Sequence, residues 1–179
     1  MNLNNRVDWL SSLTNKKGIA VEIGVGMGLY SLEILKNTDF KLYSIDCWEL
    51  NKYNPIPQES YNHTLKILDP YIKEKRSIVI KSYSDINLVN NFKNEYIDFI
   101  YVDGDHEYEG IKNDVTLFYP KIKNGGIIAG HDYGNTFPGV TKFVNEFFIN
   151  NEVNVINSGH EDDGGEQSWF IIKKPKEIK

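Results

Sequence analysis

Two stretches of the chain end apolar runs in groups able to hold or move a proton. In "IDFIYVDGDHEYEG", residues 97–110, the apolar run stops at Asp103, and Asp105, His106, Glu107 and Glu109 follow within seven positions. Like charges packed this closely repel unless solvent, a metal or a substrate relieves them. His106 sits among them, and histidine is the side chain whose unperturbed titration lies nearest neutrality, which suits proton transfer. The second stretch is "GGIIAGHDY", residues 125–133, where His131 and Asp132 end another apolar run. If these runs are neighbouring parallel strands, Asp103 and Asp132 come within reach of one ligand, and their oxygens suit Mg²⁺.

A third stretch, "VEIGVGMGLYS", places Gly24, Gly26 and Gly28 between a strand-like and a helix-like segment, with Glu22 two residues ahead of the first glycine. Glycines permit a tight turn and close approach of a ligand, and a helix N-terminus offers free N–H groups. The spacing is G-x-G-x-G, not the G-x-G-x-x-G of dinucleotide sites. Asp46 ends the next apolar run, "KLYSID", where a carboxylate can accept hydrogen bonds from both hydroxyls of a ribose. The combination points to a nucleoside cofactor; a tight turn without a ligand is the alternative.

The elements that must position these groups alternate along the chain. Strands are expected at 18–24, 41–46, 77–82, 97–103 and 125–132, and helices at 28–37, 58–72, 85–92, 109–122 and 139–150. Two further strands at 152–157 and 168–174 close the chain as an antiparallel hairpin. The early strands are continuous apolar runs, the pattern of strands buried on both faces. The fold class is therefore α/β, a single Rossmann-like doubly wound sheet, mostly parallel. Ligands in such sheets bind beyond the carboxyl ends of the strands. Residues 22–28, Asp46, Ser82–Asp85, Asp103–His106 and His131–Tyr133 should thus share one rim. Residues 1–17 form an N-terminal helix in this reading, 18–150 the cofactor-binding core, and 151–179 the hairpin and tail. The long aromatic segment 47–63 reads as a cofactor cover or substrate wall, with Trp48 packed on the sheet as the plainer alternative. His160, Glu161, Asp162 and Asp163 fall in a polar hairpin loop. Asp114 reads as a helix-surface or capping residue.

The chain has 179 residues, 25 acidic and 20 basic, for a net charge of −5. That suits one domain and argues against a general nucleic-acid binder. Cys47 is the single cysteine, so there is no intrachain disulfide and no cysteine metal cluster. No apolar run is long enough to span a membrane, and the N-terminus lacks a signal-peptide pattern. A cytoplasmic setting is expected, with a small-molecule partner, no nucleic acid and no membrane; a homo-oligomer is left open.

"VEIGVGMG", "SID" and the stretch from "DGDHEY" to "GGIIAGHDY" resemble class I S-adenosylmethionine-dependent methyltransferases. More narrowly they resemble macrocin-type and cephalosporin hydroxylase-like small-molecule O-methyltransferases, over roughly residues 17–150. The resemblance implies strand order 3-2-1-4-5-7-6 with the last strand antiparallel. It implies S-adenosylmethionine as cofactor, with Glu22, Gly24, Gly26, Gly28, Asp46, Ser82, Tyr83 and Asp103 around it. Glu22 either binds the cofactor's ammonium, directly or through water, or braces the loop. In the metal-dependent relatives the first acid of D-G-D and an acid pair after strand five hold Mg²⁺; these fall on Asp103, His131 and Asp132. Histidine in place of an acid leaves Mn²⁺, Fe²⁺ or no metal open. The second acid of D-G-D, Asp105, is the general base of those relatives, with His106 its competitor. The implied reaction is methyl transfer to a hydroxyl of a sugar-like or natural-product-like molecule. Non-catalytic nucleoside binding, a metal-dependent hydroxylase-like enzyme and an NAD-dependent oxidoreductase are the rivals.

Overall fold

The computed structural model describes residues 9, 10, 12, 17–50, 55–157 and 167–175. The strands are β1 (Lys17–Ile23), β2 (Asp39–Asp46), β3 (Ser77–Lys81), β4 (Ile97–Val102), β5 (Ile122–Tyr133), β6 (Asn154–Asn157) and β7 (Gln167–Ile172). The helices are α1 (Leu29–Asn37), α2 (Pro57–Lys73), α3 (Ile86–Val89), α4 (Tyr108–Phe118) and α5 (Pro138–Phe147). They build one seven-stranded sheet in the order β3-β2-β1-β4-β5-β7-β6. The first five strands pair in parallel, and β7 runs antiparallel between β5 and β6. This is the expected order and the Rossmann-like class.

Burial on both faces explains the continuous apolar strands. On one face Val21, Ile100, Val102 and Ile128 pack with Val89 of α3, Val115 and Phe118 of α4, and Phe143 and Val144 of α5. On the other, Ala20, Leu42, Phe99 and Tyr101 pack with Ile34 and Leu35 of α1, Leu68 of α2, and Trp9 and Leu10. Residues 9, 10 and 12 are helical; the rest of the expected N-terminal helix lies outside the described residues, as do His160, Glu161, Asp162 and Asp163.

Several boundaries differ from expectation: the helices expected at 85–92 and 139–150 end at Val89 and Phe147, and two further differences have identifiable reasons. The helix expected at 109–122 ends at Phe118, because Pro120 lacks an N–H and a 3₁₀ turn at Tyr119–Lys121 takes over. Strand β5 begins three residues earlier than expected. Gly125, at φ 80°, lies inside it, and the β4–β5 register shifts between the Ile97 and Phe99 pairs. The glycine pair marks an irregularity within the strand, not its start.

Candidate functional site

The carboxyl ends of β1 to β4 surround a cleft of about 930 Å³. Gly24, Gly26, Asp46, Ser82, Tyr83, Asp103, Asp105 and His106 all line it, so the structure brings most of the expected rim together. The glycine loop sits where β1 presses on β4. A Cβ on Gly24 (φ 81°) would lie 1.9 Å from the Asp103 carbonyl oxygen, whereas one on Gly26 (φ 54°) would meet nothing within 4 Å. Gly28 does not line the cleft: its own Cβ would strike Thr64 of α2 at 2.9 Å, so helix packing demands the glycine there.

Four of the loop's amides, those of residues 24, 25, 26 and 28, donate within the protein, while the N-terminus of α1 carries no side-chain cap. Gly24 N donates to Ile45 O at 3.0 Å and Gly28 N to Val25 O at 2.8 Å. Val25 N and Gly26 N both donate to Asp46 Oδ2 at 2.9 Å. Trp48 N donates to Asp46 Oδ1 at 2.6 Å, and its indole Nε1 donates to Gly26 O at 2.8 Å. Trp48 is buried in a left-handed conformation, φ 45°, its ring 4.8 Å from Tyr61. Trp48 thereby ties the loop to Asp46, while its neighbours Cys47, Glu49 and Leu50 line the cleft, as expected of a wall segment. Thr64 Oγ1 donates to Gly26 O at 3.0 Å, and a His63 ring nitrogen meets Met27 O at 2.9 Å. Glu22 lies beneath the loop, 1% exposed, accepting from Ser31, whose hydroxyl contacts Ser44 at 2.9 Å.

The second half of the site joins β4 to β5. One ligand atom each from Asp103, His131 and Asp132 lie within 4.8 Å of one another. Asp132 is 5% exposed and, unusually for a residue other than glycine, left-handed at φ 62°. Its carboxylate stands between two imidazoles: His131 Nδ1 at 2.9 Å from Oδ1, and His106 Nε2 at 3.2 Å from Oδ2. His106 Nε2 is also 3.9 Å from Asp103 Oδ1, and its ring meets Phe137 edge-on at 4.5 Å. Trp169 of β7 donates to His131 O at 3.2 Å, fixing the end of β5. Asp105 also lines the cleft; it is exposed, accepts from Glu107 N at 3.0 Å and lies against Gly110 in the first turn of α4. The mixed nitrogen and oxygen donors of Asp103, His131 and Asp132 fit a divalent cation such as Mn²⁺ or Fe²⁺.

Asp114 is the residue the sequence reading misplaced. It is 4% exposed and forms part of the cleft wall. It accepts hydrogen bonds from Ser84 and the Asn113 side chain, and burial, with the nearby Asp105 charge, pushes its pKa up to about 6. The signal was faint: Asp114 follows Ile111 by three and precedes Val115 and Phe118, so it lies on the apolar face of α4. Nearby, Tyr83 donates to Glu49, which pushes the phenol up to about 12, and Ser82 Oγ donates to Tyr83 O at 3.0 Å. Burial likewise raises the Cys47 thiol, which adds no charge at neutral pH. The cleft walls carry six carboxylates, Asp46, Glu49, Asp85, Asp103, Asp105 and Asp114, and among the described residues no lysine or arginine.

A family profile described as a methyltransferase domain matches residues 21–133. An uncharacterized protein of Acanthamoeba polyphaga mimivirus is 37% identical over 54 residues, covering 27% of this chain and 24% of that relative's length. Among solved structures, an rRNA methylase from Streptococcus thermophilus superposes over 94% of each chain, with TM-score 0.67 and 13% identity. A Streptococcus mutans protein assigned as a methyltransferase, solved with S-adenosylhomocysteine (SAH), covers 93% of this chain and 94% of its own, at TM-score 0.67 and 18% identity. A Staphylococcus aureus protein assigned as a caffeoyl-CoA O-methyltransferase covers 93% of this chain and 82% of its own, at TM-score 0.65 and 16% identity. At these identities the structural likeness is one of fold.

Two stability measurements check this geometry. Gly24→Ala should destabilise far more than Gly26→Ala in thermal melts. The first drives a methyl into a carbonyl, while the second adds only the left-handed penalty of about 1–2 kcal/mol. Asp114 has a folded pKa of about 6 against an ordinary 3.8. Its contribution is therefore fully present below about pH 4 and lost as pH rises through about 6. The gap corresponds to about 3 kcal/mol at about 1.4 kcal/mol per pH unit. Melts from pH 4 to 8 should show this loss in the native chain and not in Asp114→Asn. Parallel curves for the two proteins would refute the buried-carboxyl assignment.

Proposed function

We propose, for a chain that belongs to the methyltransferase-domain family, that it transfers a methyl group from S-adenosylmethionine to a hydroxyl of a small molecule. The observation that carries the cofactor is the charge of the cleft: six carboxylates and no lysine or arginine among the described lining residues. Such walls repel the phosphates of a dinucleotide and favour a ligand bearing a sulfonium and an ammonium. The glycine loop supports the same reading, because its Val25 and Gly26 amides already donate to the Asp46 carboxylate, which places a negative charge where a pyrophosphate would otherwise approach. The Streptococcus mutans neighbour solved with SAH supports it further. A net charge of −5 favours a small acceptor over a nucleic acid, and the acid–histidine cluster beside the cleft favours a hydroxyl, which must lose a proton.

The bound cofactor supplies an electrophilic methyl group to an in-line attack. Gly24 and Gly26 give its amino-acid portion room against the backbone, and Asp46, with acceptor capacity left on Oδ1, takes ribose hydroxyls. Asp103, His131 and Asp132 would hold a divalent cation, which lowers the pKa of a coordinated hydroxyl. His106 takes the hydroxyl proton, with Asp132 Oδ2 3.2 Å from its Nε2 and Phe137 edge-on against its ring. Asp105, turned to the start of α4, shapes the lip of the cleft instead of serving as base.

SAH should raise the melting temperature and NAD should not; the reverse preference would overturn the cofactor reading. Asp46→Ala should weaken SAH binding about 10- to 100-fold, the loss of a charged hydrogen-bond acceptor. With catechol and sugar acceptors, His106→Ala should lower turnover about 10²–10⁴-fold with SAH affinity intact. EDTA should stop turnover and Mn²⁺ restore it. Turnover that survives chelation would remove the cation from the mechanism and leave His106 as base.

A further inference from the structure

Helix α3 is a single turn, so it covers little of the sheet beneath it. Tyr43 of β2 and Ile80 of β3 are only partly buried against the core there. With Leu88, Phe92, Lys93 and Tyr96 they enclose a second cavity of about 400 Å³, which shares no lining residue with the cleft described above. That volume lies within the range of small-ligand sites, about 300–1,000 Å³. Three of the lining side chains are aromatic. The Tyr43 and Phe92 rings lie 5.2 Å apart and 75° to one another, a corner into which a planar ring fits. The charge of this cavity is opposite to that of the cleft. Lys93 lines it, Lys41 Nζ stands 5.9 Å from the Tyr43 ring centroid, and among the described residues no carboxylate lines it. The acids nearest in the chain are committed elsewhere: Glu95 accepts from Asn124 at 3.1 Å and Asp98 from Lys123 at 2.6 Å. Burial, then the neighbouring Tyr96 phenol, hold the Tyr43 hydroxyl above its ordinary pKa, which places two hydroxyls side by side in the wall.

We propose that this cavity under α3 is a second small-molecule site, separate from the reaction centre, that takes a small aromatic carboxylate. The ring enters the corner between Tyr43 and Phe92, against Ile80 and Leu88. The carboxylate faces the exposed Lys93 at the mouth. A phenol that accepts one hydrogen bond keeps its own O–H, so Tyr96 serves as a further donor to that carboxylate. An aromatic cation gains nothing here, since the cavity offers it no acid and sets a lysine against it. The cleft, with its six carboxylates, has the reverse preference. One ring system carrying either charge therefore tells the two sites apart. The proposal stands apart from the cofactor reading, because none of its residues takes part in that site.

The full chain, isotope-labelled for amide NMR, is titrated with 2-naphthoate and with 2-naphthylmethylamine, which has the same rings and the opposite charge. The amides of Tyr43, Ile80, Leu88, Phe92 and Tyr96 report this cavity, and those of Gly26, Asp46 and Asp103 report the cleft. Naphthoate should shift the first set saturably and leave the second in place. Read from the first set, naphthoate should bind about 3- to 30-fold more tightly than the amine, the swing from attraction to repulsion at an exposed lysine. Lys93→Glu, a substitution at an exposed position, should abolish or reverse that preference. Tyr96→Ala, at a residue 37% exposed, should weaken naphthoate at the cavity. No saturable shift in the first set, shifts confined to the second, equal binding of the two probes, or an unchanged preference in Lys93→Glu would overturn the site.

Discussion

The site depends on the contact between the ends of β1 and β4. Asp103 N donates to Ile23 O at 2.7 Å, so the parallel ladder runs one residue past the end of β4. There the Gly24 backbone presses on the Asp103 carbonyl so closely that no side chain fits. The same compression recurs between β4 and β5, where a Cβ on Gly130 would lie 2.5 Å from Val102 O. Glycine at these two positions lets three strand ends converge. The residues that follow, at 25–26, 103–106 and 131–132, must then rise together from one rim. Cofactor loop and acid–histidine cluster are neighbours because backbones, not side chains, meet beneath them.

The loop above that contact is held by a carboxylate, which determines what the cleft can accept. Asp46 Oδ2 accepts the amides of both Val25 and Gly26 and sets its negative charge beside the loop. Trp48 completes the arrangement from the far side, at the left-handed penalty of about 1–2 kcal/mol. Its indole bond to Gly26 O and its full burial offset that cost. Helix α2 adds Thr64 on the same carbonyl. The loop is thus organised before any ligand arrives, which reduces the ordering that binding must impose.

The sequence makes the fold legible because burial on both faces leaves continuous apolar runs, as in "GIAVEIG" and "IDFIYV". The rim is legible for the same reason: each run ends where solvent and ligand begin. Partners are less so. Asp46 reads as a ribose acid, but nothing in "SID" shows that its carboxylate also holds the glycine loop, 20 and 21 residues away in the chain. The left-handed backbone of Trp48 has no sequence mark, since that conformation favours glycine or asparagine. Asp114 was assigned to the surface because charge ordinarily goes there. Its place on the apolar face of α4 becomes meaningful only once that face is seen to border the cleft.

The crowding of acids after β4 is relieved in more than one way. Glu109 pairs with Lys112 at 2.9 Å, and Asp105 accepts the Glu107 amide at 3.0 Å. That leaves Asp103 and Asp132 facing the interior of the site, with two imidazoles as their neighbours. Relief therefore does not demand a cation: protonated histidines can balance the pair, and a divalent cation can replace them. The two forms of relief compete, because a ligating imidazole must give up its proton and a cation repels an imidazolium. The form of His106 that tolerates a cation beside it is the neutral one, which is also the form a general base requires. A cation at Asp103 and Asp132 would therefore favour an unprotonated His106, and an unprotonated His106 would favour the cation.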